Sequence, residues 1–121
     1  MKILVIDDDK PFRSTLCRFL AGRGHVLETA ECGLVGLNLL EKDRVDLVFC
    51  DLQMSGMDGF SFLRIVREKF PGLPVITMSG DGNLDNAVAA FREGAFDYLK
   101  KPIGIEELAH CLEKLAQISV S

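Results

Sequence analysis

Hydrophobic and polar positions follow two different periods along this chain of 121 residues. Five short apolar runs, rich in β-branched residues, predict strands that are buried on both faces. These runs cover residues 3–6, 25–29, 45–50, 74–78 and 96–99. The segments between and after the runs repeat apolar residues at every third or fourth position, which predicts one helix after each strand.

The five predicted helices differ in how clearly they begin and end. Pro11 suits the first turn of the first helix, and Gly22 or Gly24 suits its end. The others are expected at residues 33–42, from a cap at Asp58 to a stop at Pro71-Gly72, at residues 83–92 with Gly94 just beyond, and around residues 105–115. In the second helix Leu34, Leu37 and Leu40 are expected to face the core, and Gly36 lowers the helix propensity. The apolar positions that mark the helical faces are Phe12, Leu16, Phe19 and Leu20, then Leu34, Leu37 and Leu40, then Phe62, Ile65 and Val66, then Leu84, Val88 and Phe91, and finally Ile105, Leu108, Leu112 and Leu115.

This alternation predicts the fold class. Strands that alternate with helices, without internal repeats or a long linker, indicate a single α/β domain over residues 1–121 with a parallel sheet. In such sheets, ligands bind outside the carboxyl ends of the strands. Polar residues at those ends are therefore the candidates for function.

The predicted strand ends carry chemically active side chains. They are Asp7-Asp8-Asp9 after the first strand, Asp51 after the third, Ser79 after the fourth and Lys100-Lys101 after the fifth. Like charges at contact distance oppose folding unless a cation or a shared proton offsets the repulsion. Acids, a hydroxyl and a lysine that converge on one sheet edge therefore indicate a site.

Composition narrows the class of protein. A net charge of −4 argues against a nucleic-acid surface, since phosphate binding needs a basic face. We find no apolar run long enough to span a membrane, and the four apolar residues after Met1-Lys2 are too few for a signal peptide. The four cysteines form no C-x-x-C motif, so we expect reduced thiols in a cytoplasmic protein.

Four stretches in order, VIDDD, FCDLQMSGMDG, PVITMSG and GAFDYLKKP, resemble the receiver domain of two-component response regulators. The resemblance covers essentially the whole chain. It implies a flavodoxin-like, doubly wound (βα)5 fold with a five-stranded parallel sheet in the order 2-1-3-4-5. The AVAAFREGAFDY stretch that leads into the last motif is most similar to receivers of nitrogen-regulator-class, enhancer-binding transcription activators.

The resemblance implies a role for each acid at the site. Asp51 matches the residue that accepts a phosphoryl group from a histidine kinase. Asp8 matches a direct ligand of Mg²⁺ or Mn²⁺, together with Asp51 itself. Gln53 stands where the family offers a backbone carbonyl to the metal, and Asp7 acts mainly through water. Asp9 is expected instead to cap the first helix.

The resemblance also implies how the signal leaves the site. Ser79 matches the hydroxyl that hydrogen-bonds the phosphoryl group, and Lys101 matches the lysine that pairs with it. The family places a cis peptide between Lys101 and Pro102. Tyr98 matches the aromatic residue that turns inward on activation. The domain is then a switch that catalyses only its own phosphorylation and dephosphorylation.

The chemistry of the acidic run agrees with these roles. A carboxylate that attacks phosphorus must approach an anion, and neighbouring acids make that approach worse. A hard divalent cation offsets both effects, because it takes carboxylates, carbonyls, waters and phosphate oxygens as ligands. Ser55 departs from the family, which usually has proline there, and we expect a less rigid loop after Asp51.

Three other classes of protein share part of this pattern. A haloacid-dehalogenase-like phosphohydrolase shares the Asp-x-Asp of Asp7 and Asp9, but it needs Thr or Val where Pro11 stands, a cap and a longer chain. A flavodoxin-like mononucleotide binder would place phosphate-binding amides, not three aspartates, after the first strand. A receiver-shaped module that is never phosphorylated would lack some site residues, and none is missing.

The expected partners follow from the family. They are a cognate histidine kinase and an output domain, either in the same chain or in a partner protein, with transcription activation as the expected output. A stand-alone regulator or the receiver of a hybrid kinase remains the alternative. A homodimer would form through the fourth helix, fifth strand and fifth helix.

Overall fold

The computed structural model describes residues 1–54 and 56–120, and the side chains of residues 1–54 and 56–118. Ser55, and with it the expected loosening of its loop, lies outside the described residues. Strands and helices alternate along the chain as β1 (Lys2–Ile6), α1 (Lys10–Gly22), β2 (Val26–Ala30), α2 (Gly33–Lys42), β3 (Leu47–Asp51), α3 (Gly59–Lys69), β4 (Val75–Ser79), α4 (Leu84–Arg92), β5 (Asp97–Lys100) and α5 (Ile105–Val120). No helix in the described part of the chain is long and apolar enough to cross a membrane.

The five strands form one parallel sheet in the order β2-β1-β3-β4-β5, which confirms the predicted flavodoxin-like α/β fold. Ile6 of β1 pairs with Cys50 of β3, so the residues that follow them meet at the same edge. Ser79 ends β4 opposite Lys100 of β5. The register therefore brings the carboxyl ends of four strands to a common edge.

The core lies in two layers, one on each face of the sheet. On one face, α1 and α5 cover Ile3 and Val5 of β1. On the other face, α2, α3 and α4 cover Leu4 and Ile6. The central strands are apolar on both sides because both sides are covered, which explains the continuous hydrophobic runs. The described strands after β1 end one residue later than their hydrophobic patterns, because backbone pairing continues to Ala30, Asp51, Ser79 and Lys100.

Helix α2 packs through glycine, and this corrects one prediction. Gly33, Gly36 and Leu40 are buried, whereas the side chain of Leu34, expected to face the core, is 60% exposed. A Cβ atom at Gly36 would lie 2.4 Å from Cδ1 of Ile6. The absence of that atom lets the helix approach β1 closely, and this approach selects the buried face of α2.

Helix α4 also presents its apolar residues differently from a core helix. Leu84, Val88 and Phe91 share one side, as their spacing predicts, but that side is exposed. The buried residue of this helix is Ala90. Ile105, at the start of α5, is likewise exposed. Apolar spacing thus identified both helices correctly without identifying every side that faces the core.

The predicted caps are present. The side chain of Asp9 accepts a hydrogen bond from Phe12 N–H at 3.3 Å, and that of Asp58 accepts one from Ser61 N–H at 2.8 Å. Each cap satisfies a backbone donor that has no partner inside its helix. The four cysteines have free thiols.

Candidate functional site

Three aspartates meet at the carboxyl edge of the sheet. Asp7 directly follows β1 and Asp51 ends β3, and both are buried, whereas Asp8 is exposed. One carboxylate oxygen from each of the three lies within 4.8 Å of the other two. Carboxylate oxygens are the ligands that Mg²⁺ and Mn²⁺ prefer, so the donor set fits a hard divalent cation.

Lys101 places a positive charge among these acids. Its Nζ atom lies 2.7 Å from Oδ2 of Asp7 and 3.4 Å from Oδ2 of Asp51. Burial lowers the pKa of the Lys101 ammonium, but the hydrogen bond to Asp7 and the charges of Asp51 and Asp7 outweigh burial and raise it. The lysine therefore stays protonated and offsets part of the negative charge. The peptide bond between Lys101 and Pro102 is cis, as the resemblance implied.

The surroundings of Asp51 disfavour its charged form. Burial raises the pKa of its carboxyl above the usual range, and the charge of Asp7 adds to this. The Gln53 N–H, which donates to Oδ1 of Asp51 at 3.1 Å, and the Lys101 ammonium act in the opposite direction. The side chain of Gln53 is exposed. Gln53 thus contacts Asp51 through its backbone N–H in this structure. The metal-binding role of its backbone carbonyl stays a prediction.

Asp7 is fixed by contacts with the N-terminal end of α1 and with Lys101. Its Oδ1 accepts from the backbone N–H of Asp9 at 2.9 Å, while its Oδ2 accepts from Lys101. The Nη1 atom of Arg13 donates to the backbone carbonyl of Asp7 at 2.6 Å. Arg13 had no place in the predicted site, because a side chain that binds a backbone carbonyl leaves no residue-type pattern. Its position in the turn after the acidic run is the only sequence signal.

A loop carbonyl links Ser79 to Tyr98. The buried Ser79 hydroxyl donates to the carbonyl of Asp81 at 3.4 Å and accepts from the N–H of Asp81 at 3.0 Å. The hydroxyl of Tyr98 donates to the same carbonyl at 2.8 Å. The sequence did not indicate Asp81 as the residue that connects them.

Comparisons with known proteins agree with this arrangement. A profile of the response regulator receiver domain family matches residues 3–113. The DNA-binding transcriptional regulator NtrC of Escherichia coli (strain K12) is 41% identical over 112 residues, which are 93% of this chain and 24% of that protein. This chain thus spans about a quarter of the length of this relative and of NtrC from Klebsiella pneumoniae.

Solved structures show the same fold. A crystal structure of NtrX from Brucella abortus superposes with a TM-score of 0.91 and 33% identity, over 98% of this chain and 27% of that one. A two-component response regulator from Clostridium difficile gives a TM-score of 0.94 at 26% identity, over 100% and 99% of the two chains. The motifs, the sheet and these likenesses agree that the chain belongs to the response regulator receiver domain family and is related to the NtrC-type regulators.

Proposed function

We propose that this chain is the phosphoacceptor switch of a two-component system, in which Asp51 accepts a phosphoryl group from a histidine kinase. The observation that carries this is a buried Asp51 carboxylate with Lys101, Asp7 and Asp8 beside it. An Asp51 oxygen forms a bond to phosphorus while the bond between phosphorus and the kinase histidine breaks. The histidine nitrogen leaves with the bonding electrons.

The residues around Asp51 suit this attack. Phosphoryl transfer needs positioning and charge stabilisation more than covalent assistance. The Gln53 N–H fixes one carboxylate oxygen, and the Lys101 ammonium lies 3.4 Å from the other. The incoming phosphoryl oxygens then meet a fixed positive charge in a partly buried pocket, where electrostatic interactions are stronger than in water.

Asp8 and Asp51, with the Gln53 carbonyl, would hold Mg²⁺ or Mn²⁺ directly, and Asp7 would act through water. Both carboxylate oxygens of Asp7 already have protein partners, whereas Asp8 is exposed and available. When bound, the cation neutralises the carboxylates and an oxygen of the phosphoryl group.

The loop carbonyl of Asp81 gives the switch a mechanism. A phosphoryl group on Asp51 supplies new acceptor oxygens, and Ser79 donates to one of them only by leaving the Asp81 carbonyl. Tyr98 is then the remaining side-chain donor to that carbonyl. The loop before α4 then has one fixed contact fewer, so Tyr98 can turn inward with it and the surface of α4, β5 and α5 changes. We propose that this surface supports homodimerisation, since Leu84, Val88 and Phe91 already lie exposed on it.

The relatives favour one output over the others. NtrC of Escherichia coli and NtrC of Klebsiella pneumoniae are described as DNA-binding transcriptional regulators, and this chain matches a quarter of their length. We propose a cytoplasmic regulator with an output domain in the same chain that activates transcription. A stand-alone or hybrid-kinase receiver is the alternative. The family match sets aside the phosphohydrolase and the mononucleotide binder.

Phosphorylation by a small phosphodonor with Mg²⁺, followed by intact mass, tests the proposal. The parent protein is expected to gain one phosphoryl group, and Asp51→Asn none. Asp9→Asn is the matched control, because it removes one charge from the acidic run while asparagine keeps the helix cap. It is expected to behave like the parent. Equal phosphorylation of Asp51→Asn and the parent would place the phosphoacceptor elsewhere.

A further inference from the structure

The ring of Phe12 faces the ammonium of Lys101. The Lys101 Nζ atom lies 4.2 Å from the ring centroid, well inside the range of a cation–π interaction. Only 18% of the Lys101 side chain is exposed, so water screens this contact poorly. The Lys101 ammonium therefore interacts with the ring of Phe12 as well as with the acids of the pocket.

The first turn of α1 fixes the position of this ring. The Phe12 N–H donates to the capping side chain of Asp9 at 3.3 Å, and Pro11 restricts the backbone just before it. The ring also packs against the core layer beneath α1 and α5. Phe12 thus combines a place in the core with a contact to the site.

The ring adds a third contact to the lysine. Nζ has Asp7 at 2.7 Å, Asp51 at 3.4 Å and the Phe12 centroid at 4.2 Å. A lysine side chain has a flexible stem of four carbons and loses much rotamer freedom when it is fixed. The shorter distance to Asp7 shows which carboxylate Lys101 binds more closely. The ring lies within reach of the ammonium in this same position between Asp7 and Asp51, so its attraction favours that position.

We propose that Phe12 is a positioning residue, whose ring holds the Lys101 ammonium beside Asp51 for phosphoryl transfer. This rests on the proposed function of Asp51. The role depends on the π face of the ring, so an aliphatic residue of similar bulk fills the core position without performing it.

The test compares Phe12→Leu with Phe12→Tyr and Phe12→Trp in the 121-residue chain. Phosphorylation by acetyl phosphate with Mg²⁺ is expected to be about threefold to tenfold slower in Phe12→Leu. The aromatic variants are expected to stay within about twofold of the parent. The matched control is Phe19→Leu, which removes a ring from the same helix and core layer. That ring faces Arg23 at 5.8 Å and has no contact with Lys101 among the described interactions, so the rate is expected to stay at the parent value.

A second readout does not depend on phosphorylation. Ring currents shift protons above an aromatic face upfield, so the ε-methylene protons of Lys101 are expected upfield of the other lysines in proton–carbon NMR spectra. Lys101→Ala identifies the signal. The shift is expected to persist in the Tyr and Trp variants, to disappear in Phe12→Leu and to be unaffected in Phe19→Leu.

The outcomes separate the two proposals. A parent protein that is not phosphorylated contradicts the proposed function of Asp51, whatever the NMR spectra show. A parent that is phosphorylated, with Phe12→Leu at the parent rate or Phe12→Tyr and Phe12→Trp as slow as Phe12→Leu, overturns the positioning role alone. An ε-methylene signal unchanged in Phe12→Leu also overturns it.

Discussion

Two lysine–aspartate pairs in this molecule have nearly the same contact distance but differ in the charges that surround them. In the site, Lys101 lies 2.7 Å from Asp7 and also faces Asp51, with Asp8 close by. On the face of the sheet covered by α5, Lys114 lies 2.6 Å from Asp97. One lysine faces several carboxylates in the first region and a single carboxylate in the second.

The partners of Asp97 explain the difference. Its carboxylate accepts from Lys114, from the Tyr98 N–H at 2.8 Å and from the Cys111 thiol at 3.3 Å. Burial raises the pKa of Asp97, but these donors outweigh burial and hold it below the usual value, whereas the pKa of Asp51 is raised. The balance of charges and donors, more than contact distance, separates a stabilising pair from a site that holds unfavourable charge.

The largest effect is expected where the charges balance. Asp97→Ala removes an acceptor shared by three donors. Burial, which is the largest cause of the raised pKa of the Cys111 thiol, remains in the variant, so that thiol stays protonated and loses its partner. The free energy of unfolding is expected to fall by about 1–3 kcal/mol. Urea denaturation measures this. An Asp97→Ala protein as stable as the parent would remove the contrast between the two regions.

The next effect concerns the cation. Mg²⁺ at about ten times its dissociation constant is expected to add about 1.4 kcal/mol to the stability of the parent. Asp8→Ala is expected to lose most of this gain, and Asp9→Asn to keep it, because Asp9 serves as a helix cap. Thermal unfolding with Mg²⁺ and with a chelator measures both. A larger loss in Asp9→Asn than in Asp8→Ala would show that the roles in the acidic run are assigned one position out of place.

Removing a charge from the crowded site is expected to stabilise the metal-free protein. Asp51→Asn relieves repulsion with Asp7, while Lys101 keeps its closer partner. The expected gain is about 0.5–2 kcal/mol without metal. Adding Mg²⁺ should reduce the difference, since the cation offsets the same repulsion in the parent. A metal-free Asp51→Asn protein clearly less stable than the parent contradicts this account.

The smallest effect depends on pH. The folded-state pKa of Asp97 is depressed, so its contribution is complete above the ordinary aspartate value of 3.8 and is lost as pH falls through the lower folded value. Lys114, Cys111 and the Tyr98 amide face this carboxylate. Lys114→Met is expected to cost about 0.5–1 kcal/mol at pH 7, because the lysine is partly exposed. The cost should shrink below pH 4 in urea titrations, and a constant cost would contradict it.

Sequence reasoning succeeded where one residue type at one position carries the information. The acidic run after β1, Asp51 at the end of β3 and the Lys101-Pro102 pair are visible as letters, and the strand order follows from the family pattern. Their convergence needed only the rule that parallel strands share an edge. The sequence therefore predicted both the sheet and the convergence of these acids and Lys101 at its edge.

It failed where backbone geometry decides. The hydrophobic pattern places Leu34 in the core, because leucine is usually buried and glycine is a weak helix former. In the structure, Gly36 makes the close contact with Ile6 instead. The linking role of the Asp81 carbonyl is also absent from the sequence prediction. A backbone oxygen has the same chemistry in every residue, so its partners cannot be inferred from composition or spacing.

The close contact between Gly36 and Ile6 has a consequence for mutational tolerance. Ile6 is the residue directly before Asp7, so any side chain at position 36 pushes on the strand that delivers the acidic run. Gly59 stands similarly near the other acid, since a Cβ there would lie 2.8 Å from the carbonyl oxygen of Asp51. In a comprehensive substitution library, both glycines should tolerate as few replacements as Asp51, the proposed phosphoacceptor. Variants at either glycine would be depleted through low abundance of folded protein, whereas Asp51 variants would accumulate normally and, under the proposed function, fail to signal.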